Sequence, residues 1–170
     1  IKHVTTYARA DSIARKSVSE LRELKTAGIE HLYCGMETGS DLILRKINKG
    51  FDAATIIISG TKAKEAGMVL SEFTLFGIGG KELAEENAVE TAKVLNVIKP
   101  DFVRVHATGI KLSSEMWNYV KNKELTLQSE EEIVSEQKIM LELLADDMDC
   151  IYMNEHIVNP DEKSPLKITE

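Results

Sequence analysis

Charged and polar residues stand at the ends of several short apolar segments of this 170-residue chain. Arg9 and Glu37 each follow such a segment, a glycine-rich turn occupies residues 77–80, and His106 and Thr108 close a further one. If the segments are parallel strands, these residues meet at one edge of a sheet, where α/β proteins bind their ligands. A carboxylate, a guanidinium and an imidazole at that edge could hold a polar ligand.

The elements that would position these residues alternate along the chain. Strands are predicted over residues 3–9, 30–36, 68–76 and 102–108, with a last short one at 150–153. Helices are predicted between Ser12 and Gly28, between Ser40 and Gly50, over 53–66, over 82–98, and from Ser129 to Leu144. The isoleucine run at 56–58 favours a strand, but the length of 53–66 and the stop at Gly67 favour a helix, which we expect.

This alternation indicates βαβ units and therefore a parallel sheet. Four strands and their helices use about half of the roughly 250 residues of a complete (β/α)8 barrel. The expected fold is α/β, either a partial (β/α) barrel or a small open sheet. Along the strands, residues such as Cys34 and Val105 fall on one face, which suits packing against helices, while Tyr33, Glu37 and His106 fall on the other. The polar face suits a wide half-barrel around a polar ligand.

Three consecutive segments carry a resemblance to a known family. They are GMETGSDLILRKINKG (35–50), AKEAGMVLSEFTLFGIGG (63–80) and ETAKVLNVIKPDFVRV (90–105). In this order they resemble the second half of a radical S-adenosylmethionine (radical SAM) enzyme, with the nearest likeness to oxygen-independent coproporphyrinogen III oxidase and the methylthiotransferases. The similarity runs from the first strand to about residue 108 and continues more weakly to 154–159.

The resemblance implies a (β/α)6 partial barrel, S-adenosylmethionine as cofactor, and a four-iron four-sulfur cluster on a C-x-x-x-C-x-x-C loop. That motif is absent, because the chain has only two cysteines, Cys34 and Cys150, far apart in sequence. We therefore expect a barrel truncated at its N-terminus, which begins at the third strand and whose cluster ligands lie upstream of Ile1. The implied activity is that of an oxidoreductase in which SAM yields a 5′-deoxyadenosyl radical. The fragment alone is expected to be inactive, with no catalytic residue or metal ligand of its own.

The resemblance also assigns candidate cofactor residues. Glu37 matches the residue that contacts the SAM ribose, and a carboxylate can accept hydrogen bonds from two vicinal hydroxyls. Lys49 matches a basic residue that faces the SAM carboxylate, and Arg9 resembles a polar residue at a strand tip. Gly77 and Gly79 belong to the turn close to the cofactor. Structural interpretations stand beside these, because a cation at a helix C-terminus and a tight glycine turn are both common.

Two further positions concern the substrate and the ribose. Arg104 and His106 are expected to face the substrate, although a hydrogen-bonded structural pair explains them equally well. Some relatives place an aspartate for the ribose four residues before the first glycine of the turn, where this chain has Phe73. Glu72 is one residue out of register and would face the other way, so its contribution to cofactor binding stays open.

Composition argues against two classes of protein, nucleic-acid-binding proteins and membrane proteins. The net charge of −7 and the pI of about 5.2 argue against binding nucleic acid through bulk charge. No apolar run approaches the roughly 20 residues that a membrane span needs. We expect a cytoplasmic protein that acts on a small-molecule or unknown substrate, with residues 1–158 as the barrel portion and 159–170 as a polar tail.

Two other functions compete with the enzyme of the resemblance. The turn at 77–80 could bind phosphate in a barrel fragment of another kind, although the acidic residues within 82–90 would repel it. A non-catalytic interaction domain is the other alternative. In a truncated barrel the first strand has an unpaired edge, which could join a second copy in an edge-strand homodimer.

Overall fold

Five parallel strands form the sheet at the centre of the fold. A computed structural model of the chain describes residues 3–154. The strands are β1 (Val4–Ala8), β2 (Ile29–Glu37), β3 (Val69–Phe76), β4 (Phe102–Ala107) and β5 (Ile151–Met153). Their order in the sheet is their order in the sequence, and every neighbouring pair is parallel. The sheet therefore winds in one direction, as a barrel does, and the expected partial α/β barrel is confirmed.

Helices connect these strands at nearly all the predicted places. They are α1 (Ala10–Ala14), α2 (Val18–Thr26), α3 (Asp41–Lys46), α4 (Ala53–Glu65), α5 (Ala84–Ile98), α6 (Glu115–Lys121) and α7 (Glu130–Glu142). The ambiguous segment, 53–66, is helical, as expected. Ile56 and Ile58 would share one face of a strand, whereas on a helix they point to opposite sides. Ile56 is fully buried, whereas Ile58 is 48% exposed. At the start of α7, Ser129 and Glu132 form the predicted capping box.

The single helix predicted between Ser12 and Gly28 is wrong, because two helices occupy this segment. Ser17 interrupts it with an extended backbone, and its side chain accepts a hydrogen bond from the amide of Glu20. The Glu20 carboxylate accepts one from the amide of Ser17 in return. This capping box begins α2, so the chain turns between α1 and α2. The short helix α6 was also not predicted.

One face of the sheet packs against the helices and forms the core. The alternation predicted from the sequence is confirmed at its buried positions, which are Leu32, Cys34, Met36, Val103, Val105 and Ala107. The opposite face, which we call the open face, carries Tyr7, His31, Tyr33, Phe73, Arg104 and His106. Its residues are half-buried except for Tyr7, which is 78% exposed. The two faces thus separate a hydrophobic core from a surface of aromatic and cationic groups.

The strand β1 lies at an edge of the sheet, and among residues 3–154 it pairs only with β2. The homodimer expected at this edge stays a prediction. Within the same range, none of the helices has the length and hydropathy that a membrane span requires. The predicted polar tail at 159–170 lies outside the described residues.

Candidate functional site

Glu37 is the last residue of β2, and its backbone aims its side chain back along the strand. Its φ is +64°, in the left-handed region that costs a residue other than glycine about 1 kcal/mol. The pairing with β3 shifts by one residue between Gly35 and Glu37. A bulge and a left-handed residue together bring the carboxylate back beside Gly35, and such strain is common at functional sites.

The Glu37 carboxylate forms an ion pair with Lys49. The Lys49 ammonium donates to Glu37 Oε1 over 2.6 Å, and the two side chains are 17% and 21% exposed for Lys49 and Glu37. Gly35 makes room for this pair, because a Cβ there would lie 2.4 Å from Glu37 Oε1 and 3.4 Å from Lys49 Nζ. The glycine of the GMETG segment is therefore a steric requirement of the ion pair.

Arg9 joins the pair from the end of β1. Its Nη2 donates to the carbonyl of Lys49 over 3.2 Å, and its Nε donates to Asp11. The guanidinium carbon lies 5.2 Å from the ring centroid of Phe51, and Lys49 Nζ lies 5.4 Å from the same centroid. Phe51 thus contacts two cations, of which Lys49 pairs with Glu37 and Arg9 with Asp11. Sequence reasoning missed it because it stands in the connection between α3 and α4.

A cavity of about 420 Å³ opens between these charges and the open face. Its lining residues are Tyr7, Ala8, Arg9, Tyr33, Gly35, Glu37, Lys49, Phe73 and His106. The aromatic rings contact one another, with centroids 5.3 Å apart for Tyr7 and Tyr33 and 5.5 Å for Tyr33 and Phe73. The structure therefore brings together four of the predicted site residues and adds an aromatic wall. Strand alternation already placed Tyr33 on this face.

A larger cavity, of about 780 Å³, lies between α1, α3 and the start of α4. Arg15, Arg45 and three aspartates are among its lining residues. It adjoins the candidate site through Asp11 and Phe51, which contact Arg9, but none of its lining residues belongs to a strand. We place the candidate site in the smaller cavity, because ligands of barrel folds meet the carboxyl ends of the strands.

Arg104 and His106 occupy different levels of the open face. His106 lines the cavity, and its ring centroid lies 5.2 Å from that of Phe73. Arg104 lies two residues earlier in β4, outside the cavity lining, where its Nη2 donates to the Tyr33 hydroxyl over 3.1 Å. Its guanidinium carbon is 4.8 Å from the Tyr33 ring centroid. Arg104 thus holds Tyr33 of the aromatic wall in place, while His106 faces the cavity.

The glycine turn after β3 is held by a buried carboxylate. The amide of Gly77 donates to Glu136 Oε2 over 3.0 Å. Gly79 packs against α3, since a Cβ there would lie 2.9 Å from Ile43 Cδ1. Neither glycine is among the residues that line the described cavity. The alternative phosphate site loses its first donor, because the Gly77 amide already serves Glu136 and a nearby carboxylate repels anions.

Comparison with known proteins gives matches at the level of structure. No protein-family model matches the sequence, and no curated protein matches it significantly. Elp3 of the archaeon Methanocaldococcus infernus, with an N-terminal deletion, is similar with a TM-score of 0.71 and 16% identity over 88% of this chain. HydG, a maturase of FeFe hydrogenase, gives 0.54 and 16% over 85%, and methylornithine synthase (PylB) gives 0.51 and 16% over 95%. All three are radical SAM enzymes.

The chain shares its fold with these three radical SAM enzymes. It spans 34% of the Elp3 chain, 32% of HydG and 49% of PylB. At 16% identity the likeness concerns the fold alone, so the role of each residue must come from the geometry of the site.

The cysteines of this chain do not fit the iron–sulfur cluster that the radical SAM fold implies. Cys34 is buried on the helix-packed face of β2, where burial raises the pKa of its thiol, with a further contribution from Glu72. Cys150 stands just before β5, three strands away, at a distance of roughly 14 Å. Among residues 3–154, no group of three or more His, Cys, Asp and Glu side chains could hold a metal ion. Two separated and protonated thiols cannot replace a loop of three thiolates.

Glu72 is a buried carboxyl group that interacts electrostatically with Glu37 and Lys49. It lies on the helix-packed face of β3 beside Cys34, so the predicted orientation away from the cavity is correct. Neither of its carboxyl oxygens has a hydrogen-bond partner among the described residues. Burial raises its pKa well above the usual value, and the negative charge of Glu37 raises it further, while Lys49 opposes the shift. Burial therefore favours the protonated form of this carboxyl group.

Proposed function

We propose that this chain is the cofactor-binding part of a radical SAM enzyme, and that the cavity beside Glu37 and Lys49 holds S-adenosylmethionine. The observation that carries the proposal is the Glu37–Lys49 ion pair at the carboxyl end of β2. It presents an acceptor for hydroxyl groups and a donor for a carboxylate side by side, on a fold shared with radical SAM enzymes. These are the two polar ends that SAM offers.

Different residues of the cavity bind different parts of SAM. Glu37 accepts hydrogen bonds from the two ribose hydroxyls, which suit a carboxylate because it is an acceptor only. Lys49 and Arg9 provide positive charge for the carboxylate of SAM. Tyr33 and Phe73 provide flat apolar surface for the rest of the ligand and exclude water from it. Gly77 and Gly79 shape the end of β3 without reaching the cavity.

We propose that the substrate binds on the open face, next to the cofactor. His106 reaches the cavity and can hydrogen-bond to a small-molecule substrate there, whereas Arg104 holds Tyr33 in place. In the complete, cytoplasmic enzyme the proposed reaction is oxidoreductase chemistry initiated by a 5′-deoxyadenosyl radical derived from SAM. This chain contributes binding and orientation to it.

We place the cluster ligands outside these 170 residues, because Cys34 and Cys150 do not fit them. The chain alone is accordingly proposed to bind SAM without converting it. Its activity in the complete protein depends on residues that supply three cysteines near the carboxyl end of the sheet.

Calorimetric titration of the chain with SAM tests the proposal. We expect saturable binding that Glu37→Gln weakens at least about tenfold, because a hydrogen bond to a charged acceptor contributes about 1.5–3 kcal/mol. The matched control is Glu65→Gln, at an exposed residue of α4 that does not line the cavity. Equal affinities for wild type and Glu37→Gln would contradict the assignment of the site, and no binding to either would contradict the function.

A further inference from the structure

Three polar side chains lie buried behind the sheet, between α5 and α7. Asn87 and Thr91 belong to α5 and Glu136 belongs to α7, and each of them is only 1% exposed. The cofactor assignment uses none of them. Burial of polar side chains to this degree requires that their hydrogen bonds be made inside the protein.

The three residues form one hydrogen-bonded chain between two backbone amides. At one end, the amide of Gly39 donates to Thr91 Oγ1 over 3.0 Å, and the Thr91 hydroxyl donates to Asn87 Oδ1 over 3.4 Å. In the middle, Asn87 Nδ2 donates to Glu136 Oε1 over 2.6 Å. At the other end, the amide of Gly77 donates to Glu136 Oε2 over 3.0 Å.

Each of the three side chains has the hydrogen-bond donors and acceptors that its position requires. Asn87 Nδ2 also donates to the carbonyl of Leu75 over 2.9 Å, so both of its protons are used. Glu136 accepts from Asn87 on one oxygen and from the Gly77 amide on the other, which a carboxylate can do and a glutamine cannot, and it also has a hydrogen bond with Gln128. Thr91 accepts with its hydroxyl oxygen and donates with its hydrogen. Loss of one member therefore leaves a buried donor or acceptor unsatisfied, which makes the remaining bonds depend on one another.

We infer that Thr91, Asn87 and Glu136 are positioning residues that couple the loop after β2 to the glycine turn after β3. The inference rests on the proposed function, in which Glu37, at the start of the loop after β2, binds the cofactor. Gly39 stands two residues after Glu37, and Gly77 opens the turn after β3. These linked hydrogen bonds fix the position of the end of β2 relative to the end of β3. The distance between the Glu37 carboxylate and the glycine turn is therefore kept constant.

Amide hydrogen exchange of the individual Gly39 and Gly77 protons, measured by NMR on the free chain, tests the coupling. Thr91→Val removes the hydroxyl that bonds Gly39 and leaves every atom around Gly77 in place. We expect both amides to exchange at least about fivefold faster in this variant, while amides of β4 such as that of Val105 keep their rate. Thr91→Ser restores the hydroxyl and should restore slow exchange at both.

Two further variants sharpen the result. Glu136→Gln should accelerate Gly77 and, through Asn87 and Thr91, Gly39 as well, whereas Glu131→Gln, on the exposed side of α7, should change neither. If Glu136→Gln unfolds the chain, the Thr91→Val and Thr91→Ser pair decides alone. Acceleration of Gly39 with an unchanged Gly77 in Thr91→Val would overturn the coupling.

The same spectra separate this inference from the proposed function. Addition of SAM should shift the amide signals of Glu37 and Lys49 in the wild-type chain if the cofactor binds beside their side chains. Coupling in the free chain without an effect of SAM would contradict the proposed function and leave the coupling in place. An effect of SAM together with independent glycines in Thr91→Val would overturn the coupling alone.

Discussion

The Lys49 ammonium lies 2.6 Å from Glu37 Oε1, although the two residues come from different elements and are mostly shielded from solvent. Glu37 ends β2 in a left-handed conformation, and Lys49 follows α3. Lys49 neutralises a carboxylate that would otherwise be costly to keep in a half-buried cavity. The ion pair therefore holds the Glu37 carboxylate in its orientation before any ligand arrives.

Gly35→Ala should disrupt the site and spare the fold. A methyl group at this position would lie 2.4 Å from Glu37 Oε1, which is the end of a flexible side chain and can swing away. We expect SAM affinity to fall at least about tenfold while the free energy of unfolding changes by less than about 1 kcal/mol. Calorimetry and urea unfolding measure the two quantities.

The control for this substitution is Gly109→Ala, where a Cβ would meet nothing within 4 Å. It should change neither affinity nor stability. Unaltered SAM binding by Gly35→Ala would show that the Glu37 carboxylate does not need its observed position.

Gly39→Ala, unlike Gly35→Ala, should destabilise the fold. A Cβ at Gly39 would lie 2.2 Å from the carbonyl oxygen of Glu90 and 2.7 Å from the amide nitrogen of Thr91, both in the backbone of α5. Backbone atoms of a packed helix cannot move aside cheaply, so we expect a loss of about 1–3 kcal/mol in urea unfolding. Wild-type stability in this variant would mean that the loop after β2 is not pressed against α5.

Glu72 should make stability depend on pH. Its folded-state pKa is raised, so the folded chain retains a proton that the unfolded chain releases above a pKa of about 4.3. This contribution is fully present below that pH and is lost as the pH rises, at up to about 1.4 kcal/mol per pH unit until the folded pKa is reached. Glu72→Gln removes the titration, so its stability relative to wild type should increase from pH 5 to pH 8.

Urea unfolding at several pH values measures this difference, with the exposed Glu23→Gln as the matched control. Glu136, whose pKa burial also raises, contributes to both curves and cancels in the comparison. A constant difference between wild type and Glu72→Gln across this range would show that Glu72 is ionised in the folded chain.

Ser17→Ala should weaken the start of α2. The Ser17 side chain accepts from the amide of Glu20 over 3.2 Å, and its removal leaves that amide without its cap. We expect a loss of about 1 kcal/mol in thermal or urea unfolding. Ser19→Ala, inside α2 and exposed, is the control and should be neutral or slightly stabilising. An unchanged stability in Ser17→Ala would mean that the cap is not formed in solution.

Local signals in the sequence account for most of the architecture. The apolar runs and their alternation predicted all five strands and the buried face that includes Cys34 and Val105. The capping signal at Ser17, a serine followed three residues later by glutamate, lies within the apolar spacing from Ile13 to Leu24 that predicted a single helix. Helix α6 escaped prediction because it has no buried residue and therefore no apolar period.

The site was harder to predict, because its geometry depends on contacts between distant segments. Glu37 and Lys49 were assigned to the cofactor separately, and nothing in the sequence showed that a left-handed backbone would join them. Phe51 became part of the site only through its contacts with Arg9 and Lys49. Likewise, the spacing of Asn87 and Thr91 is readable on a helix, whereas the approach of Glu136 from α7 is set by tertiary packing.

Mapping of bound SAM by NMR tests the central claim most directly. In a titration of the isotope-labelled chain, the largest amide shifts should fall at Gly35, Glu37 and Lys49, with contacts between the ribose protons and the Glu37 side chain. The amides around Arg15 and Arg45, at the larger cavity, should stay unchanged. Shifts centred on that larger cavity, or a spectrum that SAM does not alter at saturating concentration, would contradict the account.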